Sequence, residues 1–276
     1  MGDIFRRIEK KYIVTEEQYK KIKEKMKENM AEDQYGKSTI CNIYFDTNQY
    51  DLISHSINKP YFKDKVRLRS YNIPNEDSKV YLEIKRKYDG VVGKRRIEMT
   101  LAEFKEYMEN KDSLKSNNKQ IKTELDYYFK FYNLKPAMYI SYEREAYYQK
   151  DNSDFRLTFD SKILARNTEM SLEKGSYGKD ILGDGKYIME VKTLGAIPMW
   201  FVEILDECKV VPGSFSKYGE AYAKFILKPN EDYLRSLAKQ AQEIKARFYA
   251  LKTCAVWDFR DVSFGFICPF GITSIN

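Results

Sequence analysis

Between residues 65 and 98, charged side chains recur at every second position in three successive segments. Arg67 and Arg69 form the first, Glu83, Lys85 and Lys87 the second, and Lys94, Arg96 and Glu98 the third. Residues two apart on a strand share a face. The intervening Val66, Leu68, Leu82, Ile84 and Ile97 suit a buried face, while Arg86 and Arg95 break the alternation. The form returns along the chain as Glu9 with Lys11, Tyr142 with Arg144, Arg156 with Thr158 and Asp160, and Glu190 with Lys192. Rows of long cations with few carboxylates suit phosphate chemistry, because the guanidinium fork matches phosphate oxygens bidentately.

If these faces line one enclosed space, the inward cations are Lys11, Arg67, Arg69, Lys85, Lys87, Lys94, Arg96, Arg144, Arg156 and Lys192. The inward anions are Glu9, Glu83, Glu98, Asp160 and Glu190. Such a positive excess is not stable when dry, since each unpaired ion costs several kcal/mol to desolvate. The space is therefore expected to be wet and to hold a polyanion, several phosphates in a row fitting best. The carboxylates suit that setting if a hard divalent cation, Mg2+ or Mn2+, lies between them and the phosphate oxygens. The competing arrangement is a set of solvent-facing strands laced with cross-strand salt bridges, against which the repeated Glu-x-Lys form weighs.

The elements that must hold these rows follow from pattern. Residues 4–14 read as a strand, and Thr15-Glu-Glu-Gln18 is a capping box opening a helix with the stripe Tyr19, Ile22, Met26 and Met30. Residues 39–46 form a second strand, followed by turn-rich chain to Pro60 in which His55 is an ordinary loop residue. Turns at 72–78 and 89–93 make the charged stretch an antiparallel meander. Thr100-Leu-Ala-Glu103 is a second capping box, and a polar linker at 111–120 leads to a helix over about 121–133. Strands return at 138–148, 155–160 and 187–193, with Gly183-Asp-Gly-Lys186 as a turn rather than a phosphate loop. Pro198 opens a helix, Ser214–Tyr218 starts a short one, and Asn230 is expected to cap a longer one. The expected fold is α+β: a closed barrel with ions inward and amphipathic helices on its outside, closure removing strand edges. The expected division is 1–229 for the charged domain and 230–276 for a helix and an irregular apolar tail.

Composition narrows the classes. Hydrophobic residues at 43% and aromatics at 15% exclude a disordered chain. The 48 basic residues are interspersed with 41 acidic ones, which argues against a nucleic-acid-coating tail. Nucleic acid is not an expected partner, because the cations alternate inward rather than along an exposed helix. A single histidine, His55, argues against His-based zinc sites and against a Ser–His–Asp hydrolase. Cys41, Cys208, Cys254 and Cys268 form no C-x-x-C pair and read as reduced thiols. The first residues lack an apolar signal region, and no run approaches the ~20 apolar residues of a membrane span. A soluble, cytoplasmic protein is expected.

The same residues resemble the triphosphate tunnel metalloenzyme (CYTH-like) superfamily, in particular its VTC (vacuolar transporter chaperone) polyphosphate polymerase branch. The resemblance rests on RIEKKY at 7–12, KVRLRSY at 65–71, YLEIKRK at 81–87, GKRR at 93–96, SYERE at 141–145, RLTFD at 156–160, MEVK at 189–192 and FSKY at 215–218. These occur in the family's order over roughly residues 4–228. The resemblance implies an eight-stranded antiparallel tunnel that binds nucleoside triphosphate and divalent metal. It further implies transfer of the terminal phosphate of ATP to a growing polyphosphate chain. It assigns phosphate-holding catalytic roles to Lys11, Arg67, Arg69, Lys85, Arg144, Arg156 and Lys217. Further substrate contacts fall to Lys87, Lys94, Arg96, Tyr142, Lys192 and Ser216. Glu190 is the principal implied metal carboxylate, with Glu9 and Glu83 assisting. The hydrolytic and cyclase branches begin their first strand Glu-x-Glu-x-Lys, whereas this chain has Arg7, Glu9 and Lys11. Loss of that carboxylate favours the polymerase-like branch over an inorganic or organic triphosphatase. No fused membrane segment or second polymerase domain is recognisable, so a non-catalytic polyphosphate-binding module is a further alternative, and a membrane-bound or operon-encoded partner stays open.

Overall fold

The structure, a computed structural model, describes residues 8–58, 61–88, 91–110 and 118–255. The chain divides into one unit ending at Leu227 and another beginning at Lys228. In the first, β1 (Ile8–Thr15) leads to α1 (Glu16–Met26), β2 (Met30–Asp46) and α2 (Asp51–Ile57). The meander follows as β3 (Phe62–Tyr71), β4 (Lys79–Tyr88) and β5 (Val91–Thr100), then α3 (Leu101–Asn110) and α4 (Lys119–Phe131). Next come β6 (Lys135–Gln149), β7 (Asn152–Arg166), β8 (Lys179–Asp180), β9 (Lys186–Thr193) and α5 (Met199–Glu207). The unit ends with β10 (Pro212–Gly213), α6 (Lys217–Tyr222) and a π-helical turn, Ala223–Leu227.

All ten strands join one antiparallel sheet in the order β10-β1-β9-β7-β6-β2-β3-β4-β5, with β8 on β7. The expected closed, eight-stranded barrel is therefore corrected: among the described residues no ladder joins β5 to the other end of the sheet. The free side of β1 is covered only by β10, opposite Lys11 and Tyr12. Pro212 has no N–H to extend that ladder. The sheet nevertheless curls until its walls touch, because Lys85 Nζ on β4 lies 3.4 Å from Glu9 Oε2 on β1. Six strand-to-strand steps separate those two strands. The result is a trough bridged by side chains where a barrel would be bridged by backbone.

Three cores hold the trough. On one part of the outer face, Val66, Leu68, Leu82, Ile84 and Ile97 pack against Leu101, Phe104 and Leu125 of α3 and α4. On another, Tyr12, Val14, Phe155, Phe159 and Val191 pack against Ile22 and Met26 of α1 and Phe201 of α5. Both helices expected from capping boxes are capped as predicted. Thr15 and Gln18 exchange bonds of 3.2 and 3.0 Å, and Thr100 and Glu103 bonds of 3.1 and 2.8 Å. The third core is inside. Ile40, Tyr44, Ile140, Tyr142 and Ile188 meet Ile53 of α2 and Tyr218, Ala221 and Tyr222 of α6. The interior is thus not polar throughout, and two helices stop part of it, contrary to the expectation that helices lie only outside.

Other expectations shift by identifiable causes. Asp46, fully buried, accepts from the backbone N–H groups of Thr47, Leu52 and Ile53, which nucleates α2 in the stretch read as turns. His55 belongs to that helix, its Nε2 3.0 Å from the Phe62 carbonyl. In the second unit, α7 (Lys228–Ala255) begins before Asn230, with Pro229 in its first turn, where a missing N–H is tolerated. The predicted Asn230 cap is therefore absent. Arg7, the turn residues 89–90 and the tail beyond Ala255, with Cys268, lie outside the described residues. Cys41 and Cys208 are buried free thiols, as expected.

Candidate phosphate-binding site

The inner face carries the alternating charges, and strand register decides which of them meet. Arg67 lies opposite Glu83, and Glu83 opposite Arg96. Glu83 is 1% exposed and is surrounded by cations: Arg67 Nη2 at 2.8 Å, Lys94 Nζ at 2.6 Å and Arg69 Nε at 3.8 Å. Burial works against its ionisation, but Arg67, Arg69 and Lys94 outweigh it and hold the carboxyl down at about 2. Arg69 is further fixed by Asn42 Oδ1 at 3.0 Å and by the Tyr142 hydroxyl at 3.3 Å.

Across the trough, Arg144 and Asp160 face each other on β6 and β7 and form a bidentate pair at 2.6 and 2.8 Å. Lys217, at the start of α6, reaches the same carboxylate at 2.5 Å. These two cations overcome burial and keep Asp160 far below the usual carboxylate range. Glu190 on β9 is held by Lys192 at 2.7 Å and by Lys11 at 3.8 Å. Against the opposing effect of burial, Lys192, Lys11 and Arg144 lower it to about 2. Tyr142 lies between the walls, with Lys217 4.3 Å and Arg144 5.2 Å from its ring centre. Although burial raises its phenol, Arg69, Arg144 and Lys217 bring it down to about 8.

The predicted residues thus separate into two groups. Lys11, Arg67, Arg69, Lys85, Lys94, Arg144, Lys192 and Lys217 engage the four inner carboxylates Glu9, Glu83, Asp160 and Glu190. Ser216 caps α6 beside them, its Oγ accepting from the Gly219 N–H at 3.1 Å. Arg156, Lys87, Arg96 and Glu98 share the inner face by register but are exposed at its margins. Arg156 turns back to the Ser153 carbonyl at 3.1 Å, Arg96 stacks 4.7 Å from the Tyr81 ring centre, and Glu98 pairs with Lys79 at 2.7 Å.

Lys65 was missed. It lies on the inner face one register step beyond Arg67, opposite Lys85, and donates to Ser216 Oγ at 2.8 Å. Its parity with Arg67 and Arg69 was the available signal. Tyr44 was missed as well; its hydroxyl accepts from Arg67 at 3.2 Å and its ring stacks on Tyr218 at 4.7 Å. A tyrosine reads as core on pattern alone. The two breaks in the pattern resolve to the other face. Arg86 pairs there with Asp64 at 3.1 Å and Glu124 at 3.0 Å, and Arg95 with Glu124 at 2.5 Å.

The implied metal can be tested on these donors. Among the described residues no three His, Cys, Asp or Glu side chains converge, so the chain offers no cage made of protein alone. Glu190 and Glu9 lie diagonally on paired strands, where Lys11 faces Glu190 and Lys192 faces Glu9. One or two carboxylates completed by phosphate oxygens is a donor set that fits Mg2+-type binding. Glu83 does not share that position; it is enclosed by three cations on the other wall.

A family model for the VTC domain matches residues 6–226. The solved structures to which the chain is similar have low identity. A candidate adenylate cyclase of Bacillus halodurans is 15% identical, with 80% of this chain and 97% of that one covered at a TM-score of 0.50. A candidate adenylyl cyclase of Hippeastrum with a dominant triphosphatase activity is 16% identical, with coverages of 79% and 96% and a TM-score of 0.48. The Mimivirus capping enzyme triphosphatase is 9% identical, with coverages of 73% and 88% and a TM-score of 0.31. No curated protein matches the chain at a significant level. No helix among the described residues is long and apolar enough to cross a membrane. With a match that extends over most of its length, the chain belongs to the VTC domain family.

Proposed function

We propose that the trough is the active site of a phosphotransferase that takes the terminal phosphate of ATP and adds it to a polyphosphate chain. One observation carries this reading. Nine inner cations, Lys65 included, face four carboxylates, and each carboxylate is already engaged by at least one of them. The remaining positive charge is spread over both walls, which suits a linear run of phosphates better than a single anion. Arg67, Arg69, Arg144, Lys11, Lys85 and Lys217 hold phosphates. Ser216, Tyr142, Lys94 and Lys192 orient neighbouring ones, and Arg156, Lys87 and Arg96 guide phosphate at the margins. Mg2+ or Mn2+, held by Glu190 with Glu9 and by phosphate oxygens, would neutralise charge on the transferred group. Glu83 orients Arg67, Arg69 and Lys94. Phosphoryl transfer requires in-line positioning and charge stabilisation rather than a covalent protein nucleophile, and fixed guanidinium groups meet that need.

The test is incubation of the pure protein with ATP and Mn2+. Acid-labile polymer and ADP are the expected products; neither forming would sink the reading. Orthophosphate released without chain growth would select the triphosphatase alternative instead. A binding module without turnover has one observation in its favour, the engagement of Glu190 by two lysines. In that case Glu190→Gln leaves polyphosphate affinity within about twofold, because no metal is being lost.

A further inference from the structure

Of the nine inner cations away from the exposed margins, eight touch a carboxylate; among the described residues Lys65 has no acidic group within ion-pairing distance. Its partner is the neutral hydroxyl of Ser216 at 2.8 Å. The groups facing it are predominantly cationic: Lys11 from β1, Lys63 on its own strand and Lys85 from β4, with the Tyr44 phenol from β2. An ammonium so placed lacks the anion that its setting calls for. Ser216 has a complementary need. A hydroxyl has one proton to donate and two lone pairs. Ser216 Oγ accepts from Lys65 Nζ and from the Gly219 N–H at 3.1 Å. With both lone pairs engaged, its own O–H is left to donate. Gly219 permits this closeness, since a Cβ there would come 3.1 Å from Ser216 Oγ.

The geometry points to a phosphate subsite built by Lys65 and Ser216, in which one phosphate oxygen takes the Ser216 O–H and a Lys65 N–H, and whose filling is accompanied by proton uptake at Lys65. This rests on the reading of the trough as a phosphate-chain site and adds to it a cation and a proton linkage. Burial, with Lys11, Lys63 and Lys85 adding to it against Tyr44, brings the free ammonium down to about 8. A bound phosphate oxygen restores the charged form. Binding is therefore strongest below pH 8 and weakens as pH rises through it.

Calorimetric titration of the full-length protein with inorganic tripolyphosphate tests this, between about pH 7 and 9.5 and in buffers of different ionisation enthalpy. At pH 7, Lys65→Ala is expected to weaken binding about tenfold or more. Ser216→Ala is expected to weaken it a few-fold, with less than additive loss when the two are combined. The wild type loses affinity as pH rises and takes up protons above pH 8. Lys65→Arg keeps the affinity and flattens that slope measurably, the remainder belonging to Tyr142, to Lys94, whose ammonium burial also brings down to about 8, and to Lys11, lowered by burial as well. Arg144→Ala serves as the control for the site itself. If Arg144→Ala abolishes binding while Lys65→Ala stays within about twofold of wild type, the Lys65 subsite is wrong. If neither variant weakens binding, the phosphate reading of the trough is wrong. Should Lys65→Ala fold poorly by its melting curve, Lys65→Arg and the proton count still decide the outcome.

Discussion

Strands β3 and β4 carry an ionic group on each face, and the two groups are built differently. Outside, Arg86 and Arg95 meet Asp64 and Glu124, and the Tyr128 hydroxyl bonds to both Asp64 and Arg86. Two cations meet two carboxylates beneath α4. Inside, one residue along the same strands, Arg67, Arg69 and Lys94 share the single carboxylate of Glu83. The balanced group needs nothing further and ties a helix to the sheet. The unbalanced group is short of negative charge that no described side chain supplies. Charge balance, more than charge density, separates the structural ion cluster from the candidate binding one here.

That contrast can be broken at several points. The largest effect is expected from Arg67→Ala, lowering tripolyphosphate affinity by about a hundredfold or more while the melting temperature changes little, since Arg69 and Lys94 still hold Glu83. Such a loss of affinity accompanied by unfolding would place Arg67 with the structural ions instead. Asp64→Asn leaves Arg86 without its bidentate partner, and a stability loss of about 2 kcal/mol is expected in denaturant titration, with phosphate affinity unchanged. Glu83→Gln also destabilises, by repulsion among its three cations, but saturating tripolyphosphate should restore much of the melting temperature. The ligand should not rescue Asp64→Asn, and equal rescue of both would erase the distinction.

Acid provides a milder test. Cations around them hold Glu83 and Glu190 both at about 2 in the folded protein, below the ordinary glutamate value of 4.5. Carboxyls lowered by folding contribute stability above their unfolded value and lose it as pH falls. Melting temperature should therefore decline between about pH 4.5 and 2 and hold steady just above that window. Tripolyphosphate affinity should fall steeply with added salt, because each contact releases or replaces screening ions. The smallest effect belongs to Glu98→Gln: its bond to Lys79 lies in solvent, and no measurable change in melting is expected.

Much of this site is legible in the sequence. Period-two alternation places Arg67, Arg69, Glu83 and Lys85 on one face, and the register sets Arg67 opposite Glu83 with Arg69 beside them. The helix starts at Thr15 and Thr100 were legible because a capping box is a local device that needs no tertiary partner. What alternation cannot supply is depth. Arg156 and Arg96 have the right parity, yet they stand at the exposed margins, since strand ends and curl decide what is enclosed. Parity also left Arg86 and Arg95 as exceptions, although their partner Glu124 arrives from a helix distant in sequence. The inner apolar core escaped notice for a related reason. Tyr44 and Tyr218 meet only after the curl has brought α6 against β2. Closure was overestimated because the final ladder was expected from backbone pairing, while the chain joins its walls through Lys85 and Glu9.

The position of β1 between β9 and β10 sets a schedule for synthesis. Its ladder partners, Lys186–Thr193 and Pro212–Gly213, lie far downstream and leave the ribosome last among the strands. Until then Lys11 has no Glu190 opposite it, and Glu9 has no ladder to hold it near Lys85. Pairings of such long sequence separation are slow, since loop closure precedes any reward from contact. The meander and its outer helices can assemble early as a local unit, whereas the pairing of Lys11 with Glu190 arrives only with β9. A nascent chain halted before residue 186 would carry the basic rows of both walls yet lack Glu190, Lys192 and the ladder that sets Glu9 and Lys11 beside them.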